Sequence, residues 1–215
     1  MALTLRDVWT TALRPEDYDT HMAAIGQAQA NAAHIRDFLL HCQPPPGARV
    51  LIAGAGTGQM FDTISPALFH GLRAVFTDIN PAFLACLRAR HPSALCLADD
   101  LERTSLRGPF HAACAVLVLE HINWRRGLDT LAALDPRRLF LVVQRNPAAM
   151  ATAVSPSRRL PGTMRVFSET HPELRDPAQI TAHLHARGYA LEREWPRPVP
   201  DAKTMLGLLF TRSAA

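Results

Sequence analysis

Three glycines, Gly54, Gly56 and Gly58, follow directly on a short apolar run, Val50–Leu51–Ile52–Ala53, within the segment RVLIAGAGTGQMFD. Glycine at 54 and 56 allows positive φ and leaves no Cβ between the turn and a ligand. Gly58 lets a following helix start close against the strand. The first N–H groups of such a helix point at the ligand and favour a carboxylate or phosphate. Strand, glycine turn and helix is the opening of a nucleotide-binding α/β unit. Three more places downstream carry chemistry: Asp78, the pair Asp99–Asp100, and Glu120–His121.

Other chemistries lack their residues. No HExxH and no His–Cys cluster is present, and His183 and His185, two apart on an expected helix, face different ways, so no metal site is expected. No GxSxG elbow occurs, and GAGTGQM stands where a P-loop would need GxxxxGK[ST].

The elements that must position these residues are legible from periodicity. Met22, Ile25, Ala28, Ala32, Ile35 and Leu39 form one helical stripe between Pro15 and Cys42, read as one long helix or two with a break near Gly26. After the first strand, a helix is expected over about Gln59–Phe69. A strand Leu72–Thr77 ends at Asp78, and a helix Pro81–Arg90 follows. Next come a short strand Ala94–Ala98, a nearly continuous apolar strand Ala112–Leu119, a helix Trp124–Leu134 and a strand Leu139–Val143. The stretch from Asn146 to Pro172 lacks apolar periodicity and reads as a long loop. A helix from Asp176–Pro177 to Arg187 and two strands, Tyr189–Trp195 and Thr204–Thr211, close the chain. Alternating strand and helix implies a parallel sheet with right-handed crossovers.

The glycine spacing is GxGxG, not the GxxG ending of dinucleotide enzymes, which would need glycine at Gln59. It resembles motif I of the class I S-adenosylmethionine (SAM)-dependent methyltransferases, whose usual form is close to VLDxGxGTG. The ending Leu119–Glu120–His121–Ile122 resembles that family's segment after the fourth strand, often LEHI. The resemblance spans about Arg49–Thr211 and implies an α/β, doubly wound Rossmann-like sheet of about seven strands, the last antiparallel. Residues 1–48 would be a helical extension, residues 49–215 the methyltransferase domain, and residues 145–175 a lid or substrate loop.

What the resemblance implies for the site is specific. The glycine loop, Gly54, Ala55, Gly56, Thr57 and Gly58, would cradle the cofactor. Asp78, followed by Ile79, would receive the two ribose hydroxyls, a task suited to two carboxylate oxygens. Asp99 would contact the adenine amino group and Leu101 would pack on the ring, with Asp100 solvent-facing or capping. Leu117 and Glu120 would lie at the crevice, where Glu120 could also cap the helix at Trp124. His121 would be the general base if the acceptor carries a proton to lose. Tyr18, His21, Trp124, Arg145 and Asn146 are candidates for an acceptor pocket. Two departures stand out: the family's aspartate at the start of the fourth strand is His111, and its acidic residue before the first glycine is Ile52. The methionine ammonium of SAM would then need another acceptor, such as Asp62, Glu120 or backbone carbonyls.

The length of 215 residues suits one α/β domain with a short extension, and 48% hydrophobic and 20% charged residues describe an ordinary globular protein. The net charge of +4 comes almost wholly from arginines spread as singles and pairs, including Arg158–Arg159, which is poor material for a nucleic-acid surface. Lys203 is the sole lysine, and no tyrosine stands four before it, which removes the YxxxK pair of many NAD(P)-dependent oxidoreductases. Cys42, Cys86, Cys96 and Cys114 show no CxxC spacing and are expected as free thiols in a reducing cytoplasm. Neither a signal peptide nor a membrane span is recognisable, so a cytoplasmic enzyme acting with SAM on a small-molecule acceptor is expected. The alternatives are a non-catalytic methyltransferase-like binding or assembly domain and, less favoured, an NAD(P)-dependent Rossmann-type oxidoreductase.

Overall fold

A computed structural model describes residues 4–150, 152–154, 160–170 and 172–213, so Arg158–Arg159 and parts of the 145–175 stretch lie outside the described residues. Seven strands form one sheet: β1 Arg49–Ala53, β2 Arg73–Asp78, β3 Leu95–Ala98, β4 Ala112–Val116, β5 Arg138–Arg145, β6 Tyr189–Val199 and β7 Lys203–Arg212. The spatial order is β3-β2-β1-β4-β5-β7-β6, with β1 to β5 parallel and β7 antiparallel to both of its neighbours. The doubly wound sheet with an antiparallel last strand is the one expected. Its order reverses between β1 and β4, where open α/β sheets bind ligands.

The helices are α1 Leu5–Asp7, α2 Pro15–Ala24, α3 Gln27–Cys42, α4 Pro81–Arg90, α5 Trp124–Ala133 and α6 Pro177–His185. Gly26, at φ 68°, breaks α2 from α3. Asn80 caps α4 by accepting from the N–H groups of Ala82 (2.9 Å) and Phe83 (3.3 Å), and Pro81 opens its first turn. Asn123 and Asp176 cap α5 and α6 in the same way. The cap of α5 is therefore Asn123 and not Glu120.

Alternation along each strand splits the core into two layers. Ile52, Cys114, Phe140, Val142 and Leu209 face Ile35, Phe38 and Leu39 of α3 and Leu84 and Leu87 of α4. Leu51, Ala113, Leu141 and Leu208 face Leu128 and Leu131 of α5 and Ile180 and Leu184 of α6. A third cluster, Val8, Leu13, Phe83, Leu160, Met164 and Phe167, with Trp9 and Tyr18 against it, unites the N-terminal segment and residues 160–167.

Two elements differ from expectation. The helix expected after β1 is two 3-10 turns, Gln59–Thr63 and Pro66–Phe69. Ile64 is extended there, and Ser65, as the residue before a proline, is held out of the helical region. β4 stops at Val116 because Leu117 adopts φ 53°, its N–H donating to Val142 O at 2.9 Å, which turns Val118 toward the glycine loop. All four cysteines are free thiols. Among the described residues no helix is long and apolar enough to cross a membrane, and no group of His, Cys, Asp and Glu is arranged to hold a metal.

Candidate functional site

The carboxyl ends of β1, β2 and β4 converge on a cavity of about 150 Å³. Gly54 and Gly56 form one edge, at φ 67° and 61°. A Cβ at Gly54 would come within 2.2 Å of Val118 Cγ2, so glycine is required there by contact as well as by φ. Asp78 lines the floor, 8% exposed. Its Oδ2 accepts the Gly56 N–H and its Oδ1 the Asn80 N–H, both at 2.9 Å. Burial pushes the Asp78 carboxyl up, opposed by those N–H donors and that of Ile79. Its side chain is thus fixed between two loops, with acceptor capacity to spare.

One end of this cavity is walled by Ile79, Asp99, Asp100, Leu101 and Ile122. Asp99 accepts from Thr104 Oγ1 (2.7 Å) and the Ser105 N–H (3.1 Å), so its carboxylate also ties down its own loop. Of the two expectations for Asp100, solvent-facing or capping, the first does not hold. Its side chain is 13% exposed, paired with Arg6 of α1, and it accepts the Glu102 N–H at 3.0 Å. At the other end stand Gln27 and Asn31, one helical turn apart on α3 and only 7% and 3% exposed. Asn31 Oδ1 is buried without a partner.

A second cavity, of about 90 Å³, adjoins the first and shares Trp9, Tyr18, Met22, Gln27, Leu117 and His121 with it. Its further lining includes His21, Glu120, Gln144, Val154, Leu160, Met164, Phe167 and Lys203. His121 packs edge-on to Trp9, ring centres 4.6 Å apart, and burial lowers its pKa to about 3. Glu120 is 2% exposed, and its Oε1 accepts the Gln144 N–H at 2.8 Å. Burial raises its pKa to about 7.

The structure therefore brings Gly54, Gly56, Asp78, Ile79, Asp99, Asp100, Leu101, Leu117 and His121 to one cavity, and Tyr18, His21 and Glu120 to the one beside it. Ala55, Thr57 and Gly58 lie behind the loop around a smaller void. There Thr57 Oγ1 donates to Asp19, and Gly58 makes room for Leu87 of α4, 3.0 Å from where its Cβ would be. Asp62 faces away, pairing with Arg90 at 3.0 Å with 46% of its side chain exposed. Trp124 is buried beneath α5 against His183, Arg145 is exposed, and Asn146 bonds within its own loop. None of these four lines either cavity. Sequence reading missed Arg6, Trp9, Gln27, Asn31 and Lys203. A usable signal existed for two of them: Gln27 and Asn31 are polar residues at helical spacing within an apolar helix.

No protein-family model matches this sequence, and neither does any curated protein. Solved structures do match in fold. Magnesium protoporphyrin IX methyltransferase from Synechocystis, with SAM bound, aligns with a TM-score of 0.64 at 19% identity, over 86% of this chain and 79% of that one. Geranyl diphosphate C-methyltransferase from Streptomyces coelicolor, with S-adenosyl-L-homocysteine (SAH), aligns with a TM-score of 0.62 at 9% identity, over 84% and 79%. The [4+2]-cyclase SpnF aligns with a TM-score of 0.60 at 13% identity, over 84% and 81%. The chain has the class I SAM-dependent methyltransferase fold.

Proposed function

We propose that the chain binds SAM in the larger cavity and transfers its methyl group to a small-molecule acceptor held in the second. The observation that carries this reading is the junction of the two cavities at Leu117 and His121, directly beyond β4 and opposite the glycine loop. The fit to SAM rests on three features: a glycine turn that lines the cavity at Gly54 and Gly56, a fixed carboxylate at Asp78, and an orphaned buried oxygen on Asn31. When bound, SAM supplies an electrophilic methyl group on a sulfonium and a neutral thioether leaving group.

In this reading Asp78 accepts from the ribose hydroxyls, and Leu101, Ile79 and Ile122 pack the adenine with Asp99 and Asp100 at its edge. Asn31 Oδ1 accepts from the ammonium and so takes over the task for which Ile52, buried in the core, has no group. Neutral His121 and the apolar wall Leu160, Met164 and Phe167 keep water from the reacting atoms, and residues 160–167 of the 145–175 stretch form the acceptor's wall. The rival reading, a domain that binds but does not turn over, draws on Ile52.

The test is thermal unfolding with SAH and with NADH. A ligand that binds only the native state adds about 2.7 kcal/mol at a hundredfold excess over its Kd. SAH is expected to raise Tm by several degrees and NADH to leave it unchanged. The reverse order would favour the oxidoreductase reading.

A further inference from the structure

We propose that Glu120 takes the acceptor's proton, and that the acceptor is a phenol- or enol-type hydroxyl carried on an apolar body. This rests on the SAM reading above. Glu120 lines the second cavity next to Leu117 and His121, the residues that border both cavities. One of its oxygens is fixed by the Gln144 N–H, while Oε2 is buried without a partner. A buried carboxyl oxygen left unpaired is costly, and an acceptor hydroxyl donating to it removes that cost.

The chemistry of the cavity selects the acceptor. Lys203, 6% exposed, lines the same cavity and donates to Ala153 O at 2.6 Å. Asp201 lines this cavity as well, and the Lys203 ammonium is the group there that favours a developing oxyanion. Trp9, Tyr18, Met164 and Phe167 suit an apolar or aromatic body. Burial places the Glu120 carboxyl at about 7, within reach of a phenol near 10 and far from an aliphatic alcohol. His121, near 3, is a much weaker base.

The step balances without a further reagent. The acceptor O–H proton passes to Glu120 Oε2, the oxygen pair forms the new bond to the methyl carbon, and the C–S pair leaves with sulfur. The charged or titratable groups around Glu120 are His121 next to it, Arg175 and Glu173 before α6, Tyr18 and His21 on α2, Asp201 between β6 and β7, and Lys203 at the start of β7. Of these, Arg175 acts to lower the Glu120 pKa, its guanidinium bonding Leu119 O at 2.8 Å.

The full chain, labelled with 13C at its glutamate carboxyls and saturated with SAH, should show one resonance titrating near neutral pH that is absent from Glu120→Gln. With SAM and 1-naphthol, 2-naphthol or catechol, the wild type should form methyl ethers, with kcat rising to a plateau above neutral pH. Glu120→Gln should lose about a hundredfold in kcat, keep its SAH affinity, and be partly rescued by Glu120→Asp. A Glu120 carboxyl that keeps one protonation state from acid to alkaline pH, or a Glu120→Gln variant with the wild-type rate, overturns the proposal. So does a wild type that binds SAH and methylates none of the three hydroxyl probes. Failure of the wild type to bind SAH instead removes the SAM reading itself.

Discussion

Gly54 and Val118 sit so close that no other residue fits at position 54: an added Cβ would approach Val118 Cγ2 to 2.2 Å. The contact locks the loop after β1 to the left-handed turn after β4, the two sides of the cavity mouth. Gly54→Ala combines this clash with a strained positive φ, each costing about 1–3 kcal/mol. Its Tm is expected to fall, and SAH binding with it. Adding Val118→Ala should restore part of the Tm but not all, since φ 67° remains. Full restoration would mean that contact alone decides the residue.

Asn31 is expected to hold the cofactor's ammonium. Replacing it with Leu removes one hydrogen bond to a charged group, worth about 1.5–3 kcal/mol, and SAM affinity should fall about ten- to a hundredfold. The measurement is isothermal titration with SAM on both proteins. Because a bond to the ammonium is the claim, a des-amino SAM analogue should bind the two proteins alike. A Leu variant with wild-type SAM affinity would place the ammonium elsewhere.

Glu120 and His121 make stability depend on pH with opposite signs. The Glu120 pKa is raised to about 7, so the folded state holds its proton more tightly than the unfolded one. Its stabilising effect is present at low pH and is lost as pH rises from the ordinary carboxyl range through 7. The His121 pKa is lowered to about 3, so its contribution is full above the unfolded value of 6.5 and fades as pH falls toward 3. Glu120→Gln should therefore gain stability over wild type at pH 8 by about 2–3 kcal/mol, with the gap closing by pH 5. Urea unfolding at the two pH values measures it, and an equal gap at both would contradict the assignment.

The sequence carried the sheet more fully than the site. Strand–helix alternation, the glycines at 54, 56 and 58, and Asp78 after β2 gave the doubly wound core and its crevice, because those features depend on local backbone chemistry. The segment 59–69 departs from the expected helix because Pro66 breaks it, which its apolar pattern does not register. The polar residues at the cavities were harder to see, since Asn31 reaches the larger one and Lys203 the second only through tertiary packing. Asp62 and Trp124 fall near the motifs in sequence, yet their side chains turn to an outer face and to the core. Nearness along the chain does not determine which way a side chain points.

The most direct measurement is isothermal titration of the full chain with SAH, wild type beside Asp78→Ala. Asp78 lines the cavity and is held by the Gly56 and Asn80 N–H groups at 2.9 Å. Micromolar binding by the wild type is expected, with a loss of at least about tenfold in the folded variant, as for removal of hydrogen bonds to a charged group. Equal affinity in the two proteins, or no binding by a folded wild type, would contradict it.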